Sequence, residues 1–282
     1  MVANDDLSLA AQEVRSLDRD RFLTALFAPA EKREGLLTLY AFNLELAQVR
    51  EKVSQPILGQ IRLQWWRDQL EFMFNDGEVG AHPVARPLAD TVRRFGLARQ
   101  PLDTLIDTRQ QDVGDEPLPT LDALEHYAAG TAAALNVSAL ELLGCREEAA
   151  MEAGRHVGIA WALIGLLRAV PFHAAGGRLY LPTDLLGRHD VATADILAGR
   201  SPPRLPAVVG DVAERAAAHL AAARRRRRDI PRSALPVLLT ATLADGHLGN
   251  LRRTGFDPFD PHLAARRPGP LRLIIAAAAR RY

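Results

Sequence analysis

The sequence predicts an all-α protein, and three observations carry that prediction. Apolar residues recur at intervals of three and four along almost the whole chain, the spacing of one helical face. Runs in which Val, Ile, Thr and aromatic residues alternate with polar ones, the mark of a half-buried strand, are nearly absent. Proline and glycine punctuate the periodic segments without opening a long polar linker between them. With 282 residues and a hydrophobic fraction of 48%, the chain can bury about three-quarters of its unfolded surface. The expectation is one domain over residues 1–282 with about nine or ten helices.

Each helix is justified in turn. Leu7, Ala10, Val14 and Leu17 give an opening amphipathic helix with Asn4 or Asp5 as its N-cap. Leu37, Tyr40, Leu44 and Ala47 make the next stripe, and Leu58, Ile61 and Trp65 the one after, extended by Trp66, Leu70 and Met73. Leu121, Leu124, Tyr127 and Ala128 open a helix that runs to Leu143 and stops at Gly144. Val157, Trp161, Ile164 and Leu167 share the following one. A proline-rich loop over residues 255–270 precedes a short terminal helix.

Composition excludes several classes. A formal net charge of +1 gives no general attraction to nucleic acid. The lone Cys145 allows no intramolecular disulfide and no thiolate metal cluster, which fits a reducing compartment. The first ten residues hold no apolar run of a secretory signal. The longest apolar runs, residues 157–167 and 273–279, are too short to span a bilayer.

Local signals are few. Arg224 to Arg228 form a run of five arginines at the end of an alanine-rich helix. Positive charge there complements the helix dipole and is attracted to anionic lipid or an acidic partner; Arg225, Arg226 and Arg227 are the candidate contacts. The eight histidines show no metal-helix spacing. Gly176-Gly177 has no following lysine and reads as a turn. Trp65 and Trp66 point about 100° apart on a helix, so one can enter the core while the other lines a cavity.

Taken together, five segments resemble the squalene/phytoene synthase family. Leu39-Tyr40-Ala41-Phe42 is similar to its "LYAF" helix, and residues 61–70, Ile-Arg-Leu-Gln-Trp-Trp-Arg-Asp-Gln-Leu, to its "RLxWWRxEL" segment. Leu105-Ile106-Asp107 with Asp112, then Tyr127, Gly130 and Thr131, and finally Arg168 with residues 177–182, Gly-Arg-Leu-Tyr-Leu-Pro, follow in the family's order. The resemblance implies an isoprenoid (terpenoid) synthase-like helical bundle around a central cavity. Tyr40, Asn43, Trp65, Trp66, Tyr127 and Trp161 are the candidates for its wall.

Enzymes of that family join two prenyl diphosphates through magnesium held by paired Asp-x-x-x-Asp motifs. The chemistry needs hard oxygen ligands for Mg²⁺ and neutralisation of the departing diphosphate. The resemblance places those aspartates at 47, 51, 169 and 173, where this chain has Ala47, Glu51, Ala169 and His173. Pro171 lies between the last two and is expected to disturb the helix there. No catalytic residue, metal ligand or cofactor is therefore expected; Mg²⁺ enters only under the prenyltransferase alternative.

The segment Ala-Phe-Asn-Leu-Glu-Leu-Ala-Gln-Val-Arg-Glu at 41–51 and the ending with Phe256-Asp257, Pro261-His262 and Arg281-Tyr282 resemble the subfamily containing the mitochondrial respiratory complex I assembly factor. That resemblance implies a non-catalytic role in assembling respiratory complex I (NADH:quinone oxidoreductase) through contacts with its subunits or assembly proteins. An anionic membrane surface is a further expected contact, and nucleic acid is not. The expected location is the cytoplasm or the surface of the inner membrane. Two alternatives stay open: a head-to-head prenyltransferase, and an isoprenoid- or quinone-binding protein without turnover.

Overall fold

A computed structural model describes residues 7–114, 116–265, 269–279 and 281–282. Every regular element among them is helical. In order these are α1 (Leu9–Leu17), α2 (Arg19–Ala25), α3 (Ala30–Ala47), α4 (Pro56–Phe74), α5 (Ala85–Phe95), α6 (Arg99–Val113) and α7 (Leu121–Ala128). A π turn (Ala129–Ala133) leads into α8 (Ala134–Leu142), α9 (Glu148–Arg168), α10 (Val170–Ala175), α11 (Thr183–Arg188) and α12 (Thr193–Leu197). The chain continues through α13 (Leu205–Ala223), α14 (Leu235–Leu238), α15 (Thr240–Arg253), α16 (Pro261–Ala265) and α17 (Pro270–Ala278). The described helices outnumber the nine or ten expected, because pieces of one or two turns are too short to show a period.

The long helix α9 is the axis of the bundle. The π turn, α8, α13 and α15 all pack on it. Gly158 permits the closest approach: a Cβ there would stand 2.5 Å from Ala133 Cα and 2.7 Å from the Ala132 carbonyl. One cluster of buried apolar residues reaches from Ala10 on α1 to Tyr282, and a second, Leu239, Leu243 and Leu273, lies under α17.

Several local expectations need correction. The caps assigned to Asn4 or Asp5 lie outside the described residues; the described α1 is capped by Ser8, whose hydroxyl accepts from the Ala11 amide. On α4 the buried face is Gly59, Leu63, Trp66, Leu70 and Met73, whereas Leu58 and Ile61 are exposed and Trp65 is half-buried. The single stripe expected from the sequence is therefore split, with Trp66, Leu70 and Met73 covered while Leu58 and Ile61 face solvent. The helix opened by Leu121 does stop at Gly144, in left-handed backbone, but passes through the π turn on its way. Such turns insert a residue into the α ladder and have no signature in an apolar period.

The break around Pro171 is milder than proline chemistry suggested. Ala169 caps α9, and α10 restarts at Val170 with Pro171 in its first turn. A missing N–H is harmless there. The His173 amide still donates to the Ala169 carbonyl at 2.9 Å, so positions 169 and 173 keep a helical relation.

Candidate functional site

The synthase positions converge on different surroundings at their two ends. Helix α3 ends at Ala47, and Gln48 caps it. Glu51 follows in an exposed turn, so positions 47 and 51 do not share a helical face. His173 on α10 packs edge-on to Tyr180, with ring centroids 4.7 Å apart.

Behind that pair lies the most connected polar group of the site, the buried Asp112 near the end of α6. Tyr127 donates to both its carboxylate oxygens at 2.9 Å, and Tyr180 donates at 2.8 Å. Arg109 adds an ion pair at 3.0 Å and also donates to the Tyr127 hydroxyl at 2.8 Å. Arg178 donates to the Gln111 and Asp112 backbone carbonyls, the former at 2.8 Å. Burial, then the Asp112 charge, holds the Tyr180 hydroxyl protonated well above its ordinary range. Tyr127 is raised likewise, mainly by burial. Both phenols therefore remain donors. Burial and the neighbouring Arg178 push His173 down to about 4, so the ring stays neutral at neutral pH.

Magnesium does not fit this donor set. Ala47 and Ala169 offer no side-chain ligand, Glu51 stands beyond α3, and both oxygens of Asp112 are already engaged by Tyr127 and Arg109. Hard cations require free carboxylate or carbonyl oxygen.

The cavity-wall candidates divide. Tyr127 and Tyr180, with Arg178, His126 and Leu118, line a cleft of about 690 Å³. Trp161 lines another of about 270 Å³ with Arg168, Gly165, Asp20 and His247, where His247 and Asp20 pair at 2.9 Å. Tyr40, 1% exposed, and Trp66, 3% exposed, are packed into the core, and Asn43 is buried on α3. Trp65 and Trp66 meet edge-on at 5.0 Å, and His82 packs against both. The buried Arg21 sits over the rings of Tyr40 and Trp161, 5.7 Å from each, linking a core tyrosine to the smaller cleft.

The arginine run falls one step later than expected. Helix α13 ends at Ala223, Arg224 caps it, and the remaining arginines follow in a turn and a 3₁₀ segment. Arg224 pairs with Asp245, and Arg226 with Glu152 and Asp229. Arg225, Arg227 and Arg228 are exposed and form no ion pair among the described residues.

An all-helical bundle with the synthase motif helices in order defines the isoprenoid synthase class of fold. Solved structures agree: the chain superposes on squalene synthase HpnC from Alicyclobacillus acidocaldarius with a TM-score of 0.77 at 21% identity, covering 88% of this chain and 94% of that one. A dehydrosqualene synthase in complex with ligand gives 0.83 at 20% identity, covering 96% and 94%. The squalene/phytoene synthase family profile matches residues 14–272, and the chain belongs to that family. Among its relatives, the NADH dehydrogenase (ubiquinone) complex I, assembly factor 6 of Bos taurus is 34% identical over 270 residues, 95% of this chain and 81% of that protein. The Homo sapiens protein of the same description is 32% identical over the same span. The presqualene diphosphate synthase of Rhodopseudomonas palustris is 29% identical over 227 residues, 79% of each chain.

Proposed function

We propose that this chain acts in the assembly of respiratory complex I as a non-catalytic member of the squalene/phytoene synthase family, working through contacts with complex I subunits or assembly proteins. One observation carries the non-catalytic part. At the four positions where the family resemblance calls for metal-binding aspartates, three side chains cannot supply an anionic oxygen, and the fourth, Glu51, has left the helix. At an effective dielectric near 20, a carboxylate about 4 Å from a unit charge contributes roughly 4 kcal/mol. Losing three of the four leaves Glu51 as the only motif carboxylate for magnesium. The assembly role is supported by the likeness to complex I assembly factor 6 across 95% of this chain.

A second reading, a head-to-head prenyltransferase, is favoured by the 29% identity to presqualene diphosphate synthase. Two measurements separate them. Incubation with farnesyl or geranylgeranyl diphosphate and Mg²⁺, followed by extraction, is expected to yield no condensed product. Deletion of the gene is expected to lower NADH:quinone oxidoreductase activity in membranes, with recovery on re-expression of the chain. Condensed product in the first assay sinks the non-catalytic reading; normal activity in the second sinks the assembly role.

A further inference from the structure

The terminal helix α17 is built the wrong way round for a helix that merely closes a bundle. Its inner face is Leu273, packed with Leu239 and Leu243 and against Trp161, with Ala276 and Ala277 alongside. The larger apolar side chains point outward: Leu271 is 66% exposed, Ile274 55% and Ile275 59%. Spaced at i, i+3 and i+4, they form one stripe, continued by the exposed Ala278. Arg272 stands at the stripe's edge and is exposed, as suits a side chain whose stem lies along apolar surface while its head stays wet.

The stripe runs directly into positive charge. At the end of α17, Arg227, Arg228, Arg232 and Arg281 line a common cleft of about 320 Å³ together with Ala279 and Tyr282. None of the four forms an ion pair among the described residues. The acids close by are already used, Asp245 by Arg224 and Asp229 by Arg226. Tyr282 fixes the arrangement: its hydroxyl donates to the Ala223 carbonyl at 2.8 Å, and its own carbonyl accepts from Arg224 at 2.6 Å. The end of α17 is thus tied to the end of α13, which places the arginine run beside the apolar stripe.

We infer that α17 and the arginine cleft at its end form a docking surface for an anionic phospholipid bilayer. The stripe enters the boundary between headgroups and acyl chains, and the guanidinium groups bind the phosphates around it. Apolar area beside clustered cations is what holds a helix in the interfacial plane. The charge pattern favours lipid over a second copy of this chain, which would bring the same unpaired arginines and carboxylates already paired with Arg224 and Arg226. The nine residues of α17 span about 13 Å, long enough to lie on a bilayer and too short to cross it. The inference does not depend on the complex I reading.

Flotation of the full chain with vesicles tests it. Vesicles of phosphatidylcholine alone should leave the protein behind. Vesicles with two parts phosphatidylcholine to one part phosphatidylglycerol should carry it up, and less so as salt is raised. Each arginine at an anionic surface is worth about fivefold in partition, so Arg227→Glu/Arg228→Glu/Arg281→Glu should cut recovery by roughly a hundredfold or more. Ile274→Ser/Ile275→Ser should cut it about tenfold while leaving the unfolding transition in place. Equal recovery with both vesicle types, recovery with neither, or no loss in the serine variant overturns the proposal. So does a dimer in solution that the serine variant dissociates, which assigns the stripe to a second copy.

Discussion

The imidazole of His173 stands edge-on to the phenol of Tyr180 at 4.7 Å, and Tyr180 passes a hydrogen bond to Asp112 at 2.8 Å. A residue at a position that the family resemblance assigns to a metal ligand is thereby tied into a buried network whose carboxylate is already engaged by Tyr127, Tyr180 and Arg109. It also acquires a pH signature. The pKa of His173 falls from 6.5 to about 4 because it is buried and faces Arg178. The unfolded chain takes up a proton at this residue before the folded one does. Its contribution to stability is therefore whole above pH 6.5 and lost as the pH falls toward 4. The full linkage is worth about 3 kcal/mol. Urea unfolding across this window should show the wild type losing more stability than His173→Phe, which keeps the ring stack and cannot titrate. Parallel losses in the two proteins would show that His173 is not held neutral.

Asp112→Asn should be among the most damaging single changes in the molecule. It removes the charge that answers Arg109 and one of the two acceptors on which Tyr127 and Tyr180 converge. A buried cation left without its partner costs about 3–5 kcal/mol. Chemical denaturation measures this directly. A loss below about 1 kcal/mol would mean that the network is neither dry nor cooperative.

The helical fold was legible because its signal is a period, and a period survives in a single sequence. What covers each face is not periodic. Leu58, Ile61 and Trp65 repeat as regularly as Leu63, Trp66 and Leu70, yet only the second set is covered. The Asp112 network was hidden for a different reason. Tyr127, Arg178 and Tyr180 each sat in a recognised segment, but what joins them is a carboxylate 15 to 68 residues away. Asp112 also lies in a segment that resembles the family, where it reads as a structural acid with no partner named. Nothing in its local sequence distinguishes a buried hub from a solvated helix residue.

Two glycines give a controlled pair. Gly158→Ala places a methyl 2.5–2.7 Å from the Ala133 and Ala132 backbone, which cannot give way as a side chain can. Helix α9 must move off the π turn, at a cost of about 1–3 kcal/mol. At Gly210 on α13, the added carbon meets nothing within 4 Å, and the alanine should stabilise by about 1 kcal/mol through helix propensity. Thermal unfolding of both variants should show opposite shifts. A neutral Gly158→Ala would mean that the contact between α9 and the π turn is loose.

Restoring carboxylates at the degenerate positions should succeed on one side only. Residues 169 and 173 keep the i, i+4 relation, since the amide of one still bonds the carbonyl of the other. Ala169→Asp/His173→Asp therefore sets two carboxylates on one face, about 6 Å apart. Without metal they repel by about 3 kcal/mol at an effective dielectric near 20, and the variant should unfold at lower temperature. Magnesium relieves that repulsion, so millimolar Mg²⁺ should raise its melting temperature while leaving the wild type unchanged. Adding Ala47→Asp should bring little further gain, because α3 ends at residue 47 and Glu51 lies in the turn beyond it. The measurement is a melting series against Mg²⁺ for the three proteins. A triple variant that binds Mg²⁺ far more tightly than the double would show that the turn after α3 can close on the metal.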